Sequence, residues 1–96
     1  MKLFRVDYHT CYGYINADNV SEAKNVLVDS GVDMFVQEND TLFFNGRDAV
    51  SFQDVSDKRD DIEKYLSDLK KSMGDGYISG INLEQTKGIM FLTAAG

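Results

Sequence analysis

Residues 2–16, KLFRVDYHTCYGYIN, decide how the chain is to be read. Phe4, Val6 and Tyr8 alternate with Leu3, Arg5 and Asp7, the period-two pattern of a half-buried strand. A short turn at His9-Thr10 leads into a second strand over 11–16, with Tyr12 and Tyr14 on one face. The opening therefore reads as an antiparallel hairpin, although its turn contains no glycine.

Working outward, Ala17-Asp18-Asn19 opens a helix. Asn19 followed three residues later by Glu22 resembles a capping box, with Asn in place of Ser or Thr. Val20, Ala23, Val26 and Leu27 form one apolar stripe, and Gly31 suits the left-handed position just past a helix end. Residues 32–37 and 41–45 are rich in Val, Phe, Met and Leu, and Glu38-Asn39-Asp40 separates them. Asn45-Gly46 is the strongest hairpin signal in the chain and leads to Ala49-Val50-Ser51-Phe52. These three runs are expected to form a meander.

Residues 56–73 carry the clearest helical period. Ile62, Tyr65, Leu66, Leu69 and Met73 fall along one side. Asp57, Asp60 and Asp61 in the first turns and Lys70 and Lys71 in the last complement the helix dipole. Asp60 and Lys64 are spaced for an i,i+4 ion pair, and Gly74 ends the helix. Tyr77–Leu83 and Ile89–Thr93 read as two further strands about a turn at 84–88. Ile89-Met90-Phe91-Leu92 is apolar on both faces and is expected in a central position, because an exposed edge that apolar would aggregate. The order β-β-α-β-β-β-α-β-β predicts an α+β fold, a mostly antiparallel sheet with two helices packed on one face. No linker, repeat or proline interrupts residues 1–96, so a single domain is expected.

Composition narrows the function. A chain of 96 residues buries roughly 60–65% of its unfolded surface, enough for one core with little room for an enclosed active site. Cys11 is the only cysteine, so no internal disulfide can staple the fold. The start of the chain lacks the apolar run of a signal peptide, and no run is long enough to span a bilayer. A reducing cytoplasm is the expected compartment. The formal charge of −6 disfavours direct contact with nucleic acid or with an anionic membrane surface.

No motif names a reaction. His9 and Cys11 would share a strand face, but a zinc site needs about four ligands and the chain has one His and one Cys. As a nucleophile pair they would stand ~6.5–7 Å apart at the backbone, beyond reliable contact. Sixteen acidic residues make some paired carboxylates inevitable, and a glycosidase-like pair also needs a cleft. Gly74-Asp75-Gly76 follows a helix, whereas a phosphate-cradling loop precedes one. No cofactor, metal or catalytic residue is expected.

One feature stands above this background. Residues 1–28 carry three acids and three bases, and residues 64–96 carry three acids and four bases. Residues 29–63 carry ten acids, Asp29, Asp33, Glu38, Asp40, Asp48, Asp54, Asp57, Asp60, Asp61 and Glu63, against Arg47, Lys58 and Arg59. The middle third therefore holds the whole charge excess. Acidic loops can serve solubility alone. A clustered negative field also steers a basic partner and imitates nucleic-acid phosphates. Tyr8, Tyr12 and Tyr14 can likewise be core packed under a helix or an exposed contact patch.

The expectation is a non-enzymatic acidic binding module that engages a basic protein surface. By analogy of size and charge it would be a small inhibitor of a nucleic-acid-handling machine, of the kind phages and mobile elements carry. Asp54, Asp57, Asp60 and Asp61 are the leading partner-binding residues, with Glu38 and Asp40 second. A domain that self-associates through its sheet is the alternative, and a small enzyme using surface carboxylates the third.

Overall fold

The alternation in the first seventeen residues produces strands β1 (Lys2–Tyr8) and β2 (Cys11–Ala17), paired antiparallel from Lys2↔Ala17 to Tyr8↔Cys11. In the computed structural model, which describes residues 1–31, 34–73 and 81–93, His9 adopts a left-handed φ of 53°. His is among the residues that enter this region more readily than most, and this is how the hairpin turns without glycine.

Helix α1 (Val20–Asp29) starts where the cap predicts. Asn19 Oδ1 accepts from the Glu22 backbone N–H at 2.8 Å. Gly31, at φ 81°, takes the left-handed position after the Ser30 C-cap. Strands β3 (Phe35–Glu38) and β4 (Thr41–Phe44) form the next hairpin. Asn45 and Gly46 both have positive φ and return the chain to β5 (Asp48–Ala49) beside β4.

Here the structure departs from the meander of three long strands. The run expected as one strand over Ala49–Phe52 breaks at Val50. Val50 is buried in the core and its N–H donates to the Leu42 carbonyl at 2.9 Å, ending the small sheet β3-β4-β5. From Ser51 the chain joins the other sheet as β6 (Ser51–Asp54), antiparallel to β1. A 3-10 turn (Ser56–Lys58) follows, then α2 (Arg59–Met73) and finally β7 (Gly88–Leu92) against β2. The large sheet has the order β6-β1-β2-β7. Its register slips between Tyr14 and Ile15. Gly13 is required beside that slip, because a Cβ there would fall on the Phe91 carbonyl oxygen and lie 2.5 Å from Leu92 Cδ2.

The α+β class, the antiparallel pairing and the two helices are as expected, but the helices do not share a face. Phe4, Val6, Tyr8, Ile15 and Leu92 point to one side, where they meet Ala23 and Leu27 of α1 and Phe35, Leu42 and Phe44 of the small sheet. Leu3, Tyr14, Met90 and Phe91 point to the other, under Leu66, Ile62 and Leu69 of α2. A sheet that is apolar on both faces needs a cover on each. The same fact corrects the position of the last strand. β7 ends the sheet among the described strands, and it is apolar on both sides because it is sandwiched between two layers. Its outer edge meets the segment at 81–83, where Asn82 N–H donates to the Met90 carbonyl at 2.8 Å. Of the strand expected over Tyr77–Leu83, residues 77–80 lie outside the described residues, as do Asp33 and Gly74-Asp75-Gly76. Residues 81–83 form no strand, although Ile81 is buried in the second core.

Candidate functional site

The acidic corner begins where β6 leaves the sheet. Val55 N–H donates to the Leu3 carbonyl at 2.8 Å, and Leu3 N–H donates to Ser56 Oγ at 2.9 Å. Ser56 then donates twice to Asp54 Oδ1, from Oγ at 2.6 Å and from its backbone N–H at 3.0 Å. These bonds from Ser56, the hydroxyl first, hold the Asp54 carboxyl below its ordinary value, and Lys2 adds a smaller pull. Lys2 Nζ is 3.8 Å from Asp54 Oδ2, with both side chains about half in solvent. An exposed pair of that length contributes little to stability.

Asp57 follows in the 3-10 turn and Asp60 and Asp61 in the first turn of α2, all exposed. Unpaired N–H groups at a helix start favour carboxylates at this end. The bases within the segment are placed unequally. Arg59 turns inward, its side chain only 17% exposed and 3.6 Å from Glu63 Oε1, and its guanidinium finds no hydrogen bond among the described residues. Glu63 accepts in turn from Gln85 Nε2 at 3.3 Å. Lys58 and Lys64 remain on the surface. The i,i+4 ion pair of α2 thus forms at Arg59–Glu63, not at Asp60–Lys64.

Asp54, Asp57, Asp60 and Asp61 are therefore all exposed within a run of eight residues, as is Lys58 among them. Asp54 lies on the sheet face of Phe4, and Asp60 and Asp61 belong to α2 on the opposite face. Glu38 and Asp40 lie elsewhere, at the β3–β4 turn of the small sheet, in the layer on the opposite side of the large sheet from α2. There the Asp40 carbonyl accepts from Lys24 Nζ of α1. Asp48 is engaged separately, 3.2 Å from His9 Nδ1.

The structure also separates His9 from Cys11. His9 sits at the exposed hairpin tip, whereas Cys11 is buried in the first core. Among the described residues no group of three or more His, Cys, Asp or Glu side chains could hold a metal ion. Comparison with protein-family models, curated proteins and solved structures found no match. The acidic corner presents four exposed carboxylates, with the Ser56 hydroxyl donating to Asp54 and Lys58 exposed among them.

Two arrangements were not legible in the sequence. Tyr12 and Tyr65 share a hydroxyl–hydroxyl bond of 2.8 Å that ties α2 to β2, and the Arg5 guanidinium lies 4.7 Å over the Tyr12 ring. Burial, then the bond to Tyr65, pushes the Tyr12 hydroxyl up. Tyr8 is wholly in the first core and Tyr14 is buried in the second, so the aromatic set is mainly packing. The second arrangement is an open cleft of about 620 Å³ lined by Glu22, Asn25, Asp29, Asn82, Lys87 and Ile89, with Lys87 paired to Glu22 across it. Both depend on contacts between residues more than fifty positions apart, which local periodicity does not encode.

Proposed function

We propose that this chain is a non-enzymatic binding protein that docks the Asp54, Asp57, Asp60 and Asp61 corner onto a basic surface of a partner protein. The observation that carries the reading is the exposure of all four carboxylates within eight residues. Four exposed carboxylates follow one another across a strand end, a 3-10 turn and a helix start, while Arg59 is turned inward away from them. The partner surface is one that otherwise holds nucleic-acid phosphates, since exposed carboxylates offer the same charge-assisted acceptors. The chain would act there as a small inhibitor, by mimicry or by steric block. No described helix is long and apolar enough to cross a membrane, and a lone buried cysteine suits action in a reducing cytoplasm.

Self-association is the second reading. Val36 on β3, the outer strand of the small sheet, is 54% exposed, and apolar edges pair readily.

The deciding experiment is affinity capture from the native host lysate at low and high salt, run with wild type and with Asp54, Asp57, Asp60 and Asp61 all changed to Lys. The expected result is a basic nucleic-acid-binding protein held by wild type at low salt, released at high salt and not held by the variant. Screening shrinks from about 10 Å at 0.1 M to about 3 Å at 1 M, so the salt arm isolates charge. Equal capture by a correctly folded variant would overturn the reading. Recovery of only the bait, with a homodimer in light scattering, would support self-association.

A further inference from the structure

Among the described strands β6 is an outer strand of the large sheet, and its pairing with β1 fixes which of its backbone groups face outward. The partners are Phe4↔Asp54, Arg5↔Gln53, Val6↔Phe52 and Asp7↔Ser51. Val55 N–H bonds to the Leu3 carbonyl. Bonded and non-bonded pairs alternate in an antiparallel ladder, so Gln53 and Ser51 bond inward to Arg5 and Asp7. Phe52 and Asp54 then direct their N–H and C=O groups away from the sheet. Among the described residues no strand pairs with that side.

Proteins commonly blunt such an edge with Lys or Pro. This edge, Ser51-Phe52-Gln53-Asp54, has neither. It runs instead directly into the acidic corner.

We infer that the outward edge of β6, unpaired among the described residues, accepts an extended, basic segment of the partner as a further strand. This rests on the acidic-corner reading above and specifies how the partner is held. Main-chain bonds to Phe52 and Asp54 would supply the pairing, as in other cases of strand addition. Side chains specify the occupant. Phe52 and Asp54 lie on the face that carries Phe4 and Val6, with Phe52 packed against the first core and Asp54 exposed. Residues directly opposite in a ladder have Cβ atoms about 4.5–5.5 Å apart. An antiparallel segment therefore sets a Lys or Arg against Asp54 and, two residues later, an apolar side chain against Phe52. Further basic residues on its N-terminal side reach Asp57, Asp60 and Asp61. A second copy of the chain fits less well, because each copy carries a charge of −6.

The test uses the full chain and a capped synthetic peptide in which Lys alternates with Thr and one Val stands two residues after the last Lys. A second peptide has the same sequence and charge with N-methyl groups on alternate backbone nitrogens, so that it cannot pair. The expected result is slowing of amide exchange at Phe52 and Asp54 by about tenfold or more on saturation with the first peptide, and at least about tenfold weaker binding of the second. Equal affinity for the two peptides with no slowing at these amides would overturn strand addition. If both still lost affinity on Lys substitution of the four aspartates, the charge reading would survive alone. Binding of neither peptide at low salt would end both readings. Concentration-dependent slowing without peptide would assign the edge to a second copy and overturn the basic-partner assignment. Phe52→Pro removes one outward N–H while sparing the ladder to β1. It should weaken only the first peptide, and the exchange data on wild type stand if that variant misfolds.

Discussion

At the scale of single residues, Asn16 is the clearest departure from an apolar interior. It is fully buried between Leu3 of β1 and Gly88 of β7, and neither its amide nitrogen nor its carbonyl oxygen finds a hydrogen bond among the described residues. A buried polar group without a partner costs about 1–3 kcal/mol. Leu has a similar branched shape, so Asn16→Leu should raise the urea midpoint at unchanged slope, by about 1–3 kcal/mol of stability. A lowered midpoint would show that the amide is satisfied in solution.

Tyr8 makes the opposite case. Its hydroxyl donates to the Thr93 carbonyl at 3.2 Å, and burial pushes it from 10.0 to about 12. The folded state therefore holds this proton more tightly than the unfolded chain. That contribution is complete below pH 10 and is lost as pH rises toward 12. Tyr8→Phe should cost about 1 kcal/mol at neutral pH by losing the bond. The difference in Tm between wild type and variant should then narrow between pH 10 and 12. A constant difference across that range would refute the assignment.

Among elements, those set by local chemistry were legible and those set by distant pairing were not. The hairpin of Lys2–Ala17 and the turn at Asn45-Gly46 each depend on a few neighbouring residues and formed as read. Of the box at Asn19, the Asn19 half formed, while the Glu22 carboxylate went to Lys87. Asn19→Ala should accordingly cost about 1 kcal/mol, within the 0.5–2 range for such caps. Its thermal midpoint should fall accordingly with the transition still cooperative, and an unchanged thermal curve would mean that tertiary packing alone holds α1. By contrast, Ala49-Val50-Ser51-Phe52 has the composition of one strand. Only the placement of Val50 in the core decides that Ala49 pairs with Phe43 and Phe52 with Val6. The acidic corner was legible as composition, because Asp54 to Asp61 is contiguous. The separation of Glu38 and Asp40 was not, since it follows from which side of the large sheet the small sheet covers.

For the whole molecule, the decisive fact is that one sheet serves two cores. Apolar side chains on both faces of β1 and β7 require α1 with the small sheet on one side and α2 on the other. Leu27 and Leu66 are both fully buried, each in a different core. Large-to-small changes at such sites cost about 2–5 kcal/mol. Layers pack about 10 Å apart, so the two sites lie beyond the distance at which substitutions usually couple. Leu27→Ala and Leu66→Ala should each lower stability by such an amount, and their costs should add to within about 0.5 kcal/mol in the double variant. The shared sheet nevertheless makes unfolding a single event. Far-ultraviolet dichroism and tyrosine fluorescence should therefore give one coincident transition in every variant that remains folded. If Leu66→Ala instead released α2 in a separate early transition, the large sheet would not transmit order between its faces. The acidic corner would then sit on a helix that opens independently of the fold beneath it.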